Sequence, residues 1–309
     1  MSQVVLAPKE LSNIIWAATK LGLNDEDLFS AVAKHVIRHM NHFDSVNLSL
    51  TLWGFAKMDM HAPDMFQTAR SRIVELLPEF EPHRICNTVW AFAKTGNTDL
   101  ELFKLIAEES LRKLHRFNNS NESMLLYSYA LGHVHAPLLF RKAMAQQLPA
   151  IKSGEVLDPR SLSNLLWAIS ELNLSQDFPE LYVVVATSAK ANIHRYSLTH
   201  MATVASAYAK ADLRADELFN LMAEEAKSRS FDDSAQFPDL QVLDGAFKHF
   251  GINSGVIHET VSRIQSQHQD AISVERKSRM REIFIDLATT SMMAAIVLLI
   301  AALLRIYFA

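Results

Sequence analysis

Lysines and asparagines recur in this chain at a fixed interval from a bulky ring. Lys20, Lys57, Lys94 and Lys210 each stand four residues after a marker position, held by Trp16, Trp53, Trp90 and, in a weaker copy, Ser206. Asn13, Asn87 and Asn164 stand three residues before Trp16, Trp90 and Trp167. Ammonium groups brought into register along one edge could meet successive phosphates of an extended strand, contacts that position a polymer without reading it. Carboxamides at the same spacing could read base edges, one for each repeat. Both patterns have a second explanation. A lysine near a helix C-terminus is favoured by the macrodipole and stays solvated, and an asparagine can cap a first turn or bond a neighbouring helix.

Other chemistry is thinly represented. His35 and His39, four apart, with His42 beyond, could grip a metal, but no carboxylate or cysteine is placed to complete the set, so no metal and no cofactor is expected. Cys86 is the single cysteine and has no partner for an internal disulfide. No Gly-rich phosphate loop, nucleophile elbow or repeated carboxylate pair occurs, which points away from an enzyme. The net charge of −4 is mildly acidic. That counts against strong sequence-blind attraction to nucleic acid, although a local basic strip is compatible with it.

The elements that must position these residues form an internal repeat. Trp16, Trp53, Trp90 and Tyr127 are spaced by 37 residues, and Trp167 follows 40 later. With that ring as position zero, position −5 reads Leu11, Leu48, Ile85, Glu122 and Leu162, and position +2 reads Ala18, Phe55, Phe92, Tyr129 and Ile169. Apolar residues at three- and four-residue steps predict a helix of roughly three turns. Gly22, Gly96 and Gly251 lie at +6, where such a helix ends, and Asp59, His133, Asn173 and Asp212 hold that place elsewhere. Position +1 is small throughout, which lets a neighbouring helix come close. A Leu-Phe or Met-Phe pair at +12 and +13 (Leu28-Phe29, Met65-Phe66, Leu102-Phe103, Leu139-Phe140) opens a second helix, with Asn24, Pro63 and Thr98 as start signals. Phe43, Phe80 and Phe117 close three repeats at +27.

Weaker copies centred on Ser206 and Gly245 bring the count to seven helix pairs over about residues 8 to 265. The spacing predicts an all-α solenoid, an architecture that works through a long surface rather than a pocket. The four tryptophans are expected in the core, where Trp90→Ala would cost roughly 3–5 kcal/mol.

The phrases Leu11-Ser-Asn-Ile-Ile-Trp16, Leu162-Ser-Asn-Leu-Leu-Trp167 and Trp90-Ala-Phe-Ala-Lys94-Thr-Gly96, with the aromatic pair at +12 and +13, resemble octotricopeptide and heptatricopeptide repeats. Those repeats belong to organellar RNA-binding proteins related to FAST-kinase-like and RAP-domain proteins. The pattern also resembles helical subunits of mitochondrial RNA-editing substrate-binding complexes. The resemblance covers most of the chain to about residue 260. It implies single-stranded RNA as a partner, in transcript processing, stability or translation in a mitochondrion or plastid. No RAP domain is recognisable after the repeats and no arginine-rich presequence precedes them.

The tail reads differently. Residues 266–282 form a polar linker with the basic run Arg276 to Arg281, and residues 283–309 contain the uncharged stretch Leu287 to Leu304. Eighteen helical residues reach about 27 Å, enough for a hydrocarbon core, so a single C-terminal transmembrane helix is expected. The basic residues before it place the repeats on the matrix or cytosolic face. The sequence thus points to a membrane-tethered, non-enzymatic RNA-binding protein. The alternatives are a protein-binding scaffold or accessory subunit of a membrane complex, and a cytosol-facing tail anchor.

Overall fold

The computed structural model describes residues 6–152, 158–229 and 236–267, with positions 269, 277 and 279 besides. Six complete helix pairs run in chain order: α1 (Pro8–Leu21) with α2 (Glu26–Arg38), α3 (Ser45–Lys57) with α4 (Pro63–Leu76), and α5 (Pro82–Lys94) with α6 (Leu100–Lys113). They continue as α7 (Asn119–Leu131) with α8 (Pro137–Lys152), α9 (Pro159–Glu171) with α10 (Pro179–Asn192), and α11 (Leu198–Lys210) with α12 (Asp216–Lys227). A seventh pair joins α13 (Phe237–His249) to α14 at 256–267. No strand occurs among the described residues. Each first helix packs on the first helices before and after it, and the second helices do the same in a parallel layer. This is the stacked array that the period predicts.

The corner after every first helix is built identically. Position +6 is left-handed in all seven repeats, with φ of 63° at Gly22, 69° at Gly96, 65° at Gly251, and 52–57° at Asp59, His133, Asn173 and Asp212. The next residue donates its N–H back to the carbonyl of position +2, as Leu23 does to Ala18 and Asn97 to Phe92, both at 2.9 Å. This is the hydrogen-bond signature of a Schellman end, which turns the chain sharply into the second helix. The start signals fall one residue later than expected in two places: Asp25 and Asp99, rather than Asn24 and Thr98, accept the backbone N–H of Leu28 and Leu102. Pro63 opens α4 as expected.

The core keystones are not the tryptophans. The aromatic at +13 of one repeat meets the ring at +2 of the next edge-on: Phe29 with Phe55, Phe66 with Phe92, Phe103 with Tyr129 and Phe219 with Phe247, at 5.0–5.2 Å between centroids. The pair Tyr182–Tyr208 does the same at 5.1 Å, after an insertion shifts its register. Edge-to-face geometry sets the positive rim of one ring against the negative face of the other. All of these rings are buried.

The expectation that Trp16, Trp53, Trp90 and Trp167 fill the core is corrected here. Trp16 is 45% exposed and the other three are half-buried. At roughly 100° per residue, position zero lies opposite −5, −1 and +2, which face the second-helix layer. It shares its face with −3 and +4. Small residues at +1 still permit close approach: a Cβ on Gly54 would stand 2.2 Å from Ile15 Cγ2, so α1 and α3 could not pack as they do around alanine. The second helices splay more, leaving open clefts between α2 and α4, α4 and α6, and α6 and α8.

No described helix is long and apolar enough to cross a membrane. The expected span at Leu287 to Leu304 and most of the preceding linker lie outside the described residues.

Candidate nucleic-acid interface

Because −3, 0 and +4 share one side of each first helix, stacking the helices sets three kinds of side chain in parallel rows on the outward face of that layer. The middle row is aromatic: Trp16, Trp53, Trp90, Tyr127 and Trp167. Neighbouring rings approach one another where the register allows, as Tyr127 and Trp167 do at 4.8 Å with a 41° tilt. An indole half out of water presents one flat apolar surface, suited to stacking against another flat group.

The asparagine row flanks it. Asn13 is exposed and Asn87 and Asn164 are half-buried, and the side chains of all three make no hydrogen bond among the described residues. Caps at the first helices come instead from Asp44, Asn118, Asp158 and Ser197, whose side chains accept a backbone N–H of the first turn. Three carboxamides without a hydrogen-bond partner among the described residues thus lie beside a row of rings.

The lysine row is less uniform than its spacing suggests. All four ammonium groups are exposed. Lys94 Nζ lies 2.8 Å from Asp59, the left-handed corner residue of the preceding repeat, and Lys210 Nζ lies 2.7 Å from Glu171. Lys20 sits over its own Trp16 ring at 5.7 Å. Lys57 has no ion pair among the described residues. The pairing of +4 with the previous corner recurs with other residues, as in His249 with Asp212 at 3.0 Å. Position +4 therefore also links repeats. Each such exposed pair contributes at most about 1 kcal/mol, so none locks its lysine away.

Two residues absent from the sequence-level candidates join this face. Arg160 lies in the first turn of α9 and His200 in the first turn of α11, both beside Trp167 in one cleft. No periodic signal marks them. The wider signal was present, however: a ring spaced three and four residues from solvated polar groups must share their face.

Other titratable groups are structural. The buried Cys86 thiol donates to the Asn121 carbonyl at 3.1 Å, and burial pushes its pKa well above the ordinary thiol range, which makes it a poor nucleophile. Lys113 Nζ is bound to Glu109 and to the carbonyls of Leu77, Pro78 and Phe80, tying α6 to the end of α4. The rings of His35, His39 and His42 stack at 4.5 and 5.9 Å, and no cluster of metal-binding geometry occurs among the described residues.

The described residues form an all-helical repeat array whose first-helix layer carries rows of aromatic and polar side chains. A model of the RNA-editing substrate-binding complex 6 protein family matches residues 5–177, more than half of the chain. The chain belongs to that family, and is an RNA-editing-related helical-repeat protein. This is one of the resemblances carried by its repeat phrases; the match does not extend to the octotricopeptide, heptatricopeptide or RAP subtypes. No curated protein matches it.

Proposed function

We propose that the protein is a non-enzymatic subunit of a mitochondrial RNA-editing substrate-binding assembly and holds single-stranded RNA along its first-helix face. The observation that carries this reading is the row of half-exposed rings flanked by the unpartnered carboxamides of Asn13, Asn87 and Asn164. Rings give every base a surface to stack on, and amides supply donor and acceptor for base edges. The lysines at +4 meet phosphates, Lys57 and Lys20 most readily.

Fluorescence anisotropy of the intact protein with labelled single-stranded RNA tests it. Stacking is worth about 1–3 kcal/mol per base, so Trp53→Ala combined with Trp90→Ala should weaken binding at least tenfold. Unchanged affinity would remove the face from consideration.

A second reading, a scaffold that uses the same face for a partner chain, is favoured by the neutralisation of Lys94 and Lys210 by carboxylates. Co-purifying protein lost in the same double variant, with RNA affinity intact, would establish it. The apolar run Leu287 to Leu304 would hold either assembly at a membrane. Retention of the protein in the membrane pellet after alkaline carbonate is the expected outcome.

A further inference from the structure

One place on the first-helix face forms a cleft. Between α7, α9 and α11 lies an open cleft of about 580 Å³, lined chiefly by Tyr127, Arg160, Asn164, Trp167, His200 and Thr203. The volume falls in the range of small-molecule sites. The Tyr127 and Trp167 rings, 4.8 Å apart, supply its apolar side.

The polar groups of this cleft are unusually free. Arg160 is exposed and its guanidinium makes no hydrogen bond or ion pair among the described residues, although its backbone N–H bonds the Asp158 carboxylate. Its position in the first turn of α9 is one where the macrodipole opposes a cation, so helix stability does not account for it. Two carboxylates border the cleft, Asp158, which accepts from Ser161, and Asp239, which accepts from Thr199 at 2.6 Å; both keep their charge, and neither forms an ion pair with Arg160 among the described residues. The Asn164 amide, the Trp167 indole N–H and the Tyr127 hydroxyl likewise have no partner among the described residues. His200 Nδ1 accepts the Ser197 backbone N–H at 3.3 Å, which leaves the proton of the neutral ring on Nε2. Burial and the neighbouring Arg160 lower the pKa of His200, against the opposite pull of Asp158 and Asp239.

We infer that this cleft is a nucleotide pocket that takes one unstacked base of bound RNA together with its phosphate. The base lies against the Trp167 ring, the Asn164 amide meets its edge, and the Arg160 guanidinium forks onto the phosphate. A cation, a flat apolar platform and several hydrogen-bond donors converging on one space match an anionic, planar, acceptor-rich ligand. The inference rests on the RNA reading of the face and sharpens it to one anchoring position.

The test uses the intact protein, labelled single-stranded RNA and two variants, Arg160→Gln and Asn164→Ala, with Trp53→Ala as a control elsewhere on the face. Arg160 is exposed, so its melting temperature should stay that of the wild type. Arg160→Gln should weaken binding about tenfold and lower the salt slope by about 0.7, the value for one phosphate on a single strand. Photocrosslinking should place a nucleotide on Tyr127 or Trp167 in the wild type and lose it in Arg160→Gln. Wild-type affinity, slope and crosslink in Arg160→Gln would overturn the pocket while leaving the RNA-binding face in place. No binding of RNA by the wild type would remove both.

Discussion

Phe66 of the second repeat meets Phe92 of the third edge-on, with centroids 5.0 Å apart and planes at 79°. Trp90, two residues before Phe92 on the same helix, is half-buried on the opposite side. The pair therefore separates core from surface within a single turn of α5. Phe92→Ala should cost roughly 3–5 kcal/mol, and Trp90→Ala only about 1–2 kcal/mol. Chemical denaturation of the two variants side by side would settle the assignment, and a larger loss for Trp90→Ala would reverse it.

The corner geometry gives a cleaner backbone test. Gly96 has φ of 69° with open space around the place of a Cβ. Gly96→Ala meets no clash, so only the left-handed conformation is penalised, at about 1 kcal/mol. A variant as stable as the wild type would mean that the corner relaxes out of the left-handed region.

The lysine row predicts unequal salt effects. Replacing Lys20 and Lys57 by glutamine should lower the salt slope of RNA binding by about 1.4, two phosphates on a single strand. Replacing Lys94 and Lys210 should lower it less, because each trades a carboxylate for a phosphate and releases fewer counterions. Equal reductions in the two double variants would show that the ion pairs with Asp59 and Glu171 do not persist in solution.

Glu122 makes the stability depend on pH in a recognisable direction. Its carboxyl is fully buried at position −5, where most other repeats have leucine or isoleucine, and the Gln146 amide donates to it. Burial raises its pKa to about 7 against the opposing pull of Gln147 and Gln146. The unfolded carboxyl titrates near 4.5. A folded value above the unfolded one means that this contribution is fully present below about 4.5 and is lost as pH rises through about 7. Thermal melts from pH 5 to pH 8 should show a falling trend that Glu122→Gln flattens. The same slope in the variant would assign the trend to other groups.

The sequence carried the repeat far. Seven corners at +6, the buried positions −5 and +2 and the aromatic at +13 were all legible, because helical periodicity and chain reversal are written within a few neighbouring residues. Even the exposure of Trp16 and the only partial burial of Trp90 against the core were encoded in their spacing from Lys20, Asn13, Lys94 and Asn87; ring size suggested full burial, and the shared face of −3, 0 and +4 overrode it. What only the stacking of helices decided is which side chains from different repeats meet. Lys94 finding Asp59 35 residues earlier, and Arg160, Trp167 and His200 converging on one cleft, depend on how far each first helix slides and rotates against the next. That offset is set by the small residues between the helices and by the ring pairs in the core, a sum over many contacts that no short stretch of chain contains.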